Sequence, residues 1–332
     1  MTFVMSKEDL RSWLGQLMEE RTLIAPTSTD GLILFQQIAR VEEVVLDFDN
    51  TVLPPKGCFF PATETLFTVQ REDGRINLIP SVVARETVLF GLRPCDANGI
   101  ALLDKPFLAE PSDTLYQQHR DKTILVGLSC NKVSPECFCT SVGGAPNDSS
   151  HLDILLTKIE EGCIIQAITE RGKALLPLKQ APQTEAQPPS PPCPEVVPVA
   201  GALEVIRQVF GDTYWSRLAD RCIHCNLCAY VCPTCYCFDV RDYEDGGRIE
   251  RVRTWESCQS PGFTRIAGGY DPRSSGGARL RQRFYHKLLY FAEQFGAISC
   301  VGCGRCVKFC PVNIDIREVV RDIQSLGVKG GA

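Results

Sequence analysis

The sequence lacks the features that would place it in a membrane, outside the cell or on nucleic acid. No apolar run approaches the roughly 20 residues that a membrane-spanning helix needs. The first residues lack the charged start, apolar core and small-residue cleavage site of a secretory signal, so we expect a cytoplasmic protein. A net charge of −5 provides no basic excess for binding nucleic acid.

Motifs for nucleotide binding and for nucleophilic catalysis are also missing. No Gly-rich dinucleotide loop follows a predicted strand, and the chain has no P-loop and no nucleophile elbow. We therefore expect neither flavin nor NAD to bind within this chain. Among the histidines, His119, His151 and His286 show no metal-ligand spacing with one another.

Cysteine is what the sequence has in excess, with 18 residues. In a reducing cytoplasm, clusters of cysteine bind metal rather than form disulfides. Two runs near the C-terminus have the spacing C-x2-C-x2-C-x3-C-P, the bacterial ferredoxin pattern for [4Fe–4S] clusters. The runs are Cys222, Cys225, Cys228 and Cys232 with Pro233, and Cys300, Cys303, Cys306 and Cys310 with Pro311.

Each run is expected to give its fourth cysteine to the cluster of the other run. Two-residue gaps bring three sulfurs to one loop, while the fourth cysteine, expected at the start of a short helix, points away. One [4Fe–4S] cluster is then held by Cys222, Cys225, Cys228 and Cys310. The second is held by Cys300, Cys303, Cys306 and Cys232. Zinc sites and disulfide frameworks are the alternatives, and their typical cysteine spacings differ from this one.

A proline-rich segment divides the chain. Its composition predicts an extended spacer at 176–200, in which Cys193 is expected to have no role. We predict an α/β domain at 1–175, before the spacer. After it, we predict an α+β, two-cluster ferredoxin-like domain at 201–332, in which residues 238–299 form a long insertion.

The N-terminal region is predicted to be an α/β layer. Apolar residues at helical spacing behind Ser6 predict a helix over 6–20. Two similar apolar runs, 87–95 and 123–130, predict parallel strands that are buried on both faces, with a capped helix between them that begins at Asp96. Further strands are expected at 153–157 and 164–169.

Both apolar runs end in a cysteine. Parallel strands end at one edge of a sheet, where ligands bind, and a loop with two more cysteines follows the second run. This arrangement predicts a third [4Fe–4S] cluster, held by Cys95, Cys130, Cys137 and Cys139. Asp96 or Asn131 is a substitute for one sulfur. Alternatively, the four thiols pack as small apolar residues.

Other residues near the runs have less definite roles. Cys235, Cys237 and Cys258 are either further ligands or packed thiols. Cys58 and Cys163 stand alone and are expected to be structural. The stretch 262–287 is strongly basic, which is typical of a solvated helix face. It is alternatively a docking surface, or a set of donors that raises the potential of a nearby cluster.

The order of the motifs is specific when it is taken as a whole. The motifs lie at 50–67, 93–97, 137–139, 232–235, 255–258, 262–264, 267–269 and 300–306. In this order they resemble the iron–sulfur β subunit of cytoplasmic sulfhydrogenases, the NAD(P)-linked nickel–iron hydrogenases. They are similar also to the iron–sulfur subunit of anaerobic sulfite reductase.

The resemblance implies a subunit that transfers electrons and has no active site of its own. Its partners would be a flavin subunit that handles NAD(P)H and a catalytic subunit, which is a hydrogenase, a sulfite reductase or another reductase. The residues alone leave two other classes open, because similar folds host different activities. These are catalysis at an open iron of the N-terminal set, and a redox sensor, for which we find no effector domain such as a helix-turn-helix.

Overall fold

The computed structural model describes residues 2–72, 75–83, 85–177 and 194–329. Most of the predicted spacer at 176–200, including Cys193, lies outside the described residues. The domain boundaries placed there therefore stay a prediction.

The described residues form eleven strands and eleven α-helices. The strands are β1 (Thr2–Ser6), β2 (Thr22–Thr29), β3 (Leu32–Gln37), β4 (Thr63–Glu72), β5 (Arg75–Pro80), β6 (Thr87–Leu92), β7 (Thr123–Leu128), β8 (Ile154–Ile159), β9 (Gly162–Ala167), β10 (Phe238–Asp245) and β11 (Arg248–Trp255). The helices are α1 (Lys7–Glu20), α2 (Pro94–Phe107), α3 (Thr114–Asp121), α4 (Glu170–Leu175), α5 (Val199–Val205), α6 (Tyr214–Asp220), α7 (Leu227–Tyr230), α8 (Gly276–Tyr285), α9 (Phe291–Phe295), α10 (Arg305–Lys308) and α11 (Ile316–Lys329). A π-helical turn, His286–Tyr290, joins α8 to α9.

Seven strands form a mixed sheet in the order β1-β9-β8-β7-β6-β2-β3. Strands β6 and β7 are parallel, with Thr87 opposite Thr123, which confirms the predicted strand–helix–strand unit. Helix α2 between them begins at Pro94, two residues before the predicted start. The reason is that Arg93 is the N-cap and the Asp96 carboxylate accepts a hydrogen bond from the Arg93 N–H at 3.3 Å.

Both faces of this sheet are covered, as the continuous apolar runs predict. Helix α1 begins behind Ser6, whose hydroxyl accepts a hydrogen bond from the Asp9 N–H. Its buried Trp13 and Leu14 share one core with Val88 and Phe90. On the opposite face, the alternate residue Leu89 lies in a separate core with residues of α2 and α3. The predicted helix at 6–20 and the buried strands are therefore confirmed.

A second sheet, in the order β10-β11-β4-β5, combines strands from both sides of the proline-rich segment. Strand β11 pairs antiparallel with β4, so that Thr254 lies opposite Thr63. Arg253 of β11 is 1% exposed and forms ion pairs with Glu64 and Asp113. The hairpin of the insertion is thus attached to the N-terminal half by main-chain pairing and by buried charge.

The C-terminal residues pack α5, α6, α8 and α11 around a third core, which also contains Phe138 from the N-terminal half. The two cysteine runs lie in loops beside this core, around the one-turn helices α7 and α10. The chain therefore has the mixed α and β content that the sequence predicts. Among the helices of the described ranges, none has both the length and the apolar character to cross a bilayer.

Candidate metal centres

The first sulfur set consists of Cys222, Cys225, Cys228 and Cys310, which line one small cavity together. The loop between the first three curls tightly, because His224 and Asn226 have φ angles of 52° and 64°. Cys225 is exposed. The structure thus brings the fourth cysteine of the second run to the first run, as the sequence predicts.

The second sulfur set consists of Cys300, Cys303, Cys306 and Cys232, and it is the most buried. Burial raises the pKa of Cys300 and Cys306 to about 11 and that of Cys303 to about 12. The charge of Cys232 acts on all three of these thiols. A hydrogen bond from Cys235 holds the pKa of Cys232 well below its usual value, and the Lys287 ammonium, which donates to Cys232 Sγ at 3.0 Å, adds to the effect.

The position of each fourth cysteine differs from the expectation. Cys232 and Cys310 follow the one-turn helices α7 and α10, whereas a position at the start of a short helix was expected. The third cysteine of each run lies inside the one-turn helix instead, and the fourth cysteine comes after that helix has ended. The predicted exchange of fourth cysteines between the runs does not depend on this position.

The third sulfur set consists of Cys95, Cys130, Cys137 and Cys139, which line a cavity together with Cys303 of the second set. Cys95 lies in the first turn of α2, and Cys130 follows the end of β7. Burial raises the pKa of Cys130 to about 11 and that of Cys95 well above its usual value. The structure thus gathers the four predicted sulfurs at one edge of the sheet.

The proposed oxygen and nitrogen substitutes for a sulfur have other positions. Both carboxylate oxygens of Asp96 accept hydrogen bonds from Arg305, at 2.7 and 3.2 Å, and both side chains are fully buried. Asn131 lines a different cavity. Neither residue is therefore needed to complete the third set.

The loops that carry the second and third sets are hydrogen-bonded to each other, and Asn50 adds a side-chain hydrogen bond to the second. The Phe138 N–H donates to the Gly302 carbonyl oxygen at 2.8 Å, and Asn50 Nδ2 donates to the Cys303 carbonyl oxygen at 3.1 Å. At the other end, Cys306 of the second set lines the cavity of the first set. The three sets consequently lie side by side in space, with the second set between the other two.

The donors around the sulfurs suit iron–sulfur clusters. Cluster sulfurs are stabilised by N–H donors, and thiolates are the ligands that such clusters prefer. Gln259 Nε2 donates to Cys228 Sγ at 3.1 Å, and the main-chain N–H groups of His224 and Ile314 donate to Cys222 and Cys310 at 3.4 and 3.2 Å. No three His, Cys, Asp or Glu side chains of the described residues meet closely enough to hold a single metal ion.

The remaining thiols have other surroundings. The Cys258 thiol and the Cys237 sulfur are hydrogen-bonded, which lowers the pKa of Cys237. Cys58 is shielded from water, which raises its pKa to about 12, and Cys163 is buried within β9. These thiols line neither the first nor the third cavity.

The burial of several cations near the sulfurs is the feature of the site that the sequence predicts least well. Of the basic stretch, Arg279, Arg283 and Lys287 are buried, whereas Arg281 stacks on the Phe210 ring at 3.7 Å. Lys56, which no sequence signal marked, is 2% exposed and donates to the Cys235 carbonyl oxygen at 2.9 Å. The four-residue spacing of Arg279, Arg283 and Lys287 indicates that they share one helix face, and this spacing is the sequence signal from which their common burial could have been predicted.

Comparison with known proteins gives two matches. Residues 221–314 match the family model of the 4Fe-4S dicluster domain. The sulfhydrogenase 2 subunit beta of Pyrococcus furiosus is 28% identical over 330 residues, which cover 94% of this chain and 95% of the relative. Over almost its whole length, the chain is similar to a sulfhydrogenase beta subunit. No solved structure matches it.

These matches confirm the resemblance that the motifs predict. The tail carries a 4Fe-4S dicluster domain, which the eight cysteines of the two runs lie within. The similarity to the beta subunit extends through the N-terminal half as well, so it is not limited to the ferredoxin pattern. The assignment of each cysteine to a cluster, and the third cluster, stay predictions.

Proposed function

We propose that this chain is the iron–sulfur electron-transfer subunit of a hydrogenase-type complex, with three [4Fe–4S] clusters in a row. The first cluster is held by Cys222, Cys225, Cys228 and Cys310, the second by Cys300, Cys303, Cys306 and Cys232, and the third by Cys95, Cys130, Cys137 and Cys139. Each bound cluster would accept and release one electron at a time. The proposal includes an α/β domain for the third cluster and a ferredoxin-like domain for the other two.

One observation carries the proposal: the three sulfur sets are contiguous. Cys303 borders the cavity of the third set, and Cys306 borders that of the first set. Both residues belong to the second set, so its cluster would receive electrons from one neighbour and deliver them to the other. Such an arrangement suits a relay between two partners, one at each end.

The partners are proposed from the resemblance. One would be a subunit that binds flavin and NAD(P), and the other a catalytic hydrogenase subunit. The complex would function in the cytoplasm. The exposed Cys225 marks the end of the row at the first cluster, whereas the third cluster would form the other end, in the N-terminal half.

Iron content tests the cluster assignments. Protein purified without oxygen should contain about twelve irons per chain, since each of three clusters holds four. Cys130→Ala should lose about four of them and keep the other two clusters. Cys163→Ala is the matched control, because Cys163 is a buried thiol of β9 outside the three sets. About four irons or fewer in the unmodified protein would remove the two-cluster assignment, and unchanged iron in Cys130→Ala would refute the third cluster.

Electron transfer through the intact complex tests the relay. With the companion subunits bound, NAD(P)H should reduce all three clusters of the unmodified chain. Cys130→Ala should block transfer between the two companion subunits, while a small chemical reductant still reduces the first and second clusters. Unimpaired transfer in a complex that lacks the third cluster would show that this cluster lies off the route.

A further inference from the structure

The helical segment of the insertion buries three cations in one row. Arg279, Arg283 and Lys287 follow one another at intervals of four residues, which places them on the same face of α8 and the π-helical turn. They are 7%, 4% and 3% exposed. Buried arginine and lysine are unusual unless a negative group accompanies them. This face is directed toward the cysteine loops.

Arg283 lacks the partners that a buried guanidinium normally has. Its Nε and Nη2 atoms are buried, and they have no hydrogen-bond partner in the part of the chain that the structure describes. Leaving such donors unpaired is costly. The guanidinium lies 5.0 Å from the centre of the Phe284 ring, and Arg283 lines the cavity of the first set together with Cys228 and with Cys306 of the second set.

The charge of Arg283 responds to both sulfur sets. Burial is the largest single effect and opposes the charged form, but the charges of four cysteines together, Cys228, Cys306, Cys235 and Cys232, hold the pKa of Arg283 well above its usual value. Of these, Cys228 belongs to the first set and Cys306 to the second, and both line the same cavity as Arg283. The guanidinium therefore lies between the proposed positions of the first and second clusters.

Lys287 has a different relation to the sulfurs. Its ammonium donates to Cys232 Sγ at 3.0 Å, to Thr234 Oγ1 at 3.1 Å and to the Ser299 carbonyl oxygen at 3.2 Å. All its donors are thus used around the second set alone. The start of a π-helical turn one residue earlier is notable, because such turns are frequent at functional sites.

We propose that Arg283 is a positioning residue shared by the first and second clusters, which raises the reduction potential of both. The inference rests on the proposed function, since it requires the two clusters to be present. Reduction adds one negative charge to a cluster, and a nearby cation in a dry environment stabilises that charge. Arg283 acts on two clusters at once, whereas Lys287 acts on the second cluster alone.

Redox titration followed by electron paramagnetic resonance tests this inference. Arg283→Gln should lower the ratio of reduced to oxidised cluster by about tenfold at a fixed solution potential, for both the first and the second cluster. That is ~59 mV for a one-electron couple. The third cluster should not shift. Lys287→Gln should shift the second cluster only, and Arg283→Lys, which keeps a charge, should restore much of the loss.

Two controls separate this inference from the proposed function. Arg281→Gln changes a cation of the same helix that lies away from the sulfurs, and it should leave all potentials unchanged. Iron is measured first in every protein. If the unmodified chain lacked two clusters, the proposed function would fail; if it held them and Arg283→Gln left both potentials unchanged, only the present inference would fail.

A loss of iron in the variants is also decisive. Arg283→Met replaces the cation by an apolar chain and avoids new unpaired donors. If Arg283→Gln and Arg283→Met both lost iron while Arg283→Lys kept it, the clusters would need the positive charge, which supports the inference. If all three lost iron, the shape of the guanidinium would matter rather than its charge, and the inference would be overturned.

Discussion

The two cysteine loops have the same spacing and the same backbone, yet they lie in different surroundings. In each loop, the residues on either side of the middle cysteine have positive φ: 52° and 64° for His224 and Asn226, 62° and 74° for Gly302 and Gly304. A left-handed conformation at these two positions wraps the chain around one side of the cavity. Both loops therefore adopt this conformation, and His224 and Asn226 show that it does not require glycine.

The glycines of the second loop have another cause, which is contact with the N-terminal half. A Cβ atom on Gly302 would lie 2.6 Å from the main chain of Cys139, and one on Gly304 would lie 2.7 Å from Glu136. In the first loop the same two positions carry the side chains of His224 and Asn226, and Cys225 between them is exposed. The second loop thus has two tasks, cluster binding and attachment to the other half of the molecule, and only the first is shared.

Exchange of one aligned pair of residues should show the largest difference. Arg305 and Leu227 occupy the same position in their loops, but Arg305 is buried against Asp96 and Leu227 is 36% exposed. Arg305→Leu leaves the Asp96 carboxylate buried without its cation, which should cost about 3–5 kcal/mol of stability. Thermal unfolding of the iron-loaded protein without oxygen measures the loss as a lower Tm.

The matched variant is Leu227→Arg, which should change stability by less than about 0.5 kcal/mol, since the side chain can remain in water. If Arg305→Leu and Leu227→Arg changed the stability equally, the two positions would not differ in burial and charge as the structure indicates. A double variant, Arg305→Leu with Asp96→Leu, should recover part of the loss, because no unpaired charge is then buried.

The glycine positions should show the next largest difference. Gly302→Ala adds a Cβ that meets the Cys139 backbone and forces alanine into a left-handed conformation, which together should cost roughly 2–4 kcal/mol. The iron of the proposed third cluster should decrease as well, because Cys139 is displaced. Both effects are measurable on the same sample, by thermal unfolding and by iron analysis.

Asn226→Gly is the matched change in the first loop. Glycine relieves the left-handed strain by about 1 kcal/mol, and the loss of the hydrogen bond from Asn226 Nδ2 to Ser260 Oγ removes a similar amount. The net effect on stability should be close to zero. A large loss of stability here, or none in Gly302→Ala, would contradict the distinction between the loops.

The sequence predicts the cysteine loops and the strand ends because this information is local. The C-x2-C-x2-C spacing fixes three sulfurs on one loop, and the apolar runs that end at Cys95 and Cys130 fix two strand ends at one sheet edge. Helix α1 and strands β6 and β7 are predictable for the same reason, since their periodicity lies within a short window.

The partners of these elements are not predictable in this way. Asp96 and Arg305 are 209 residues apart in sequence, and neither position shows that it will meet the other. Strand β11 consists largely of arginine and other polar residues, so its pairing with β4 gives no apolar alternation to recognise. A tight loop is by itself a sufficient reason for glycine at position 302. The sequence therefore does not show that Gly302 also contacts Cys139.

The smallest difference should occur at the residue after the first cysteine of each loop. Val301 is 6% exposed and Ile223 is 61% exposed. Val301→Ala removes two buried methyl groups, which should cost about 1–2 kcal/mol. Ile223→Ala should cost less than about 0.5 kcal/mol, because most of that side chain already contacts water. Chemical denaturation of the two iron-loaded variants resolves a difference of this size, provided that the free energy of unfolding falls with denaturant concentration at the same slope in both. If Ile223→Ala cost as much as Val301→Ala, the Ile223 side chain would have to be buried in solution. The first loop would then not differ from the second in its exposure to water, and the comparison of the two loops would be contradicted.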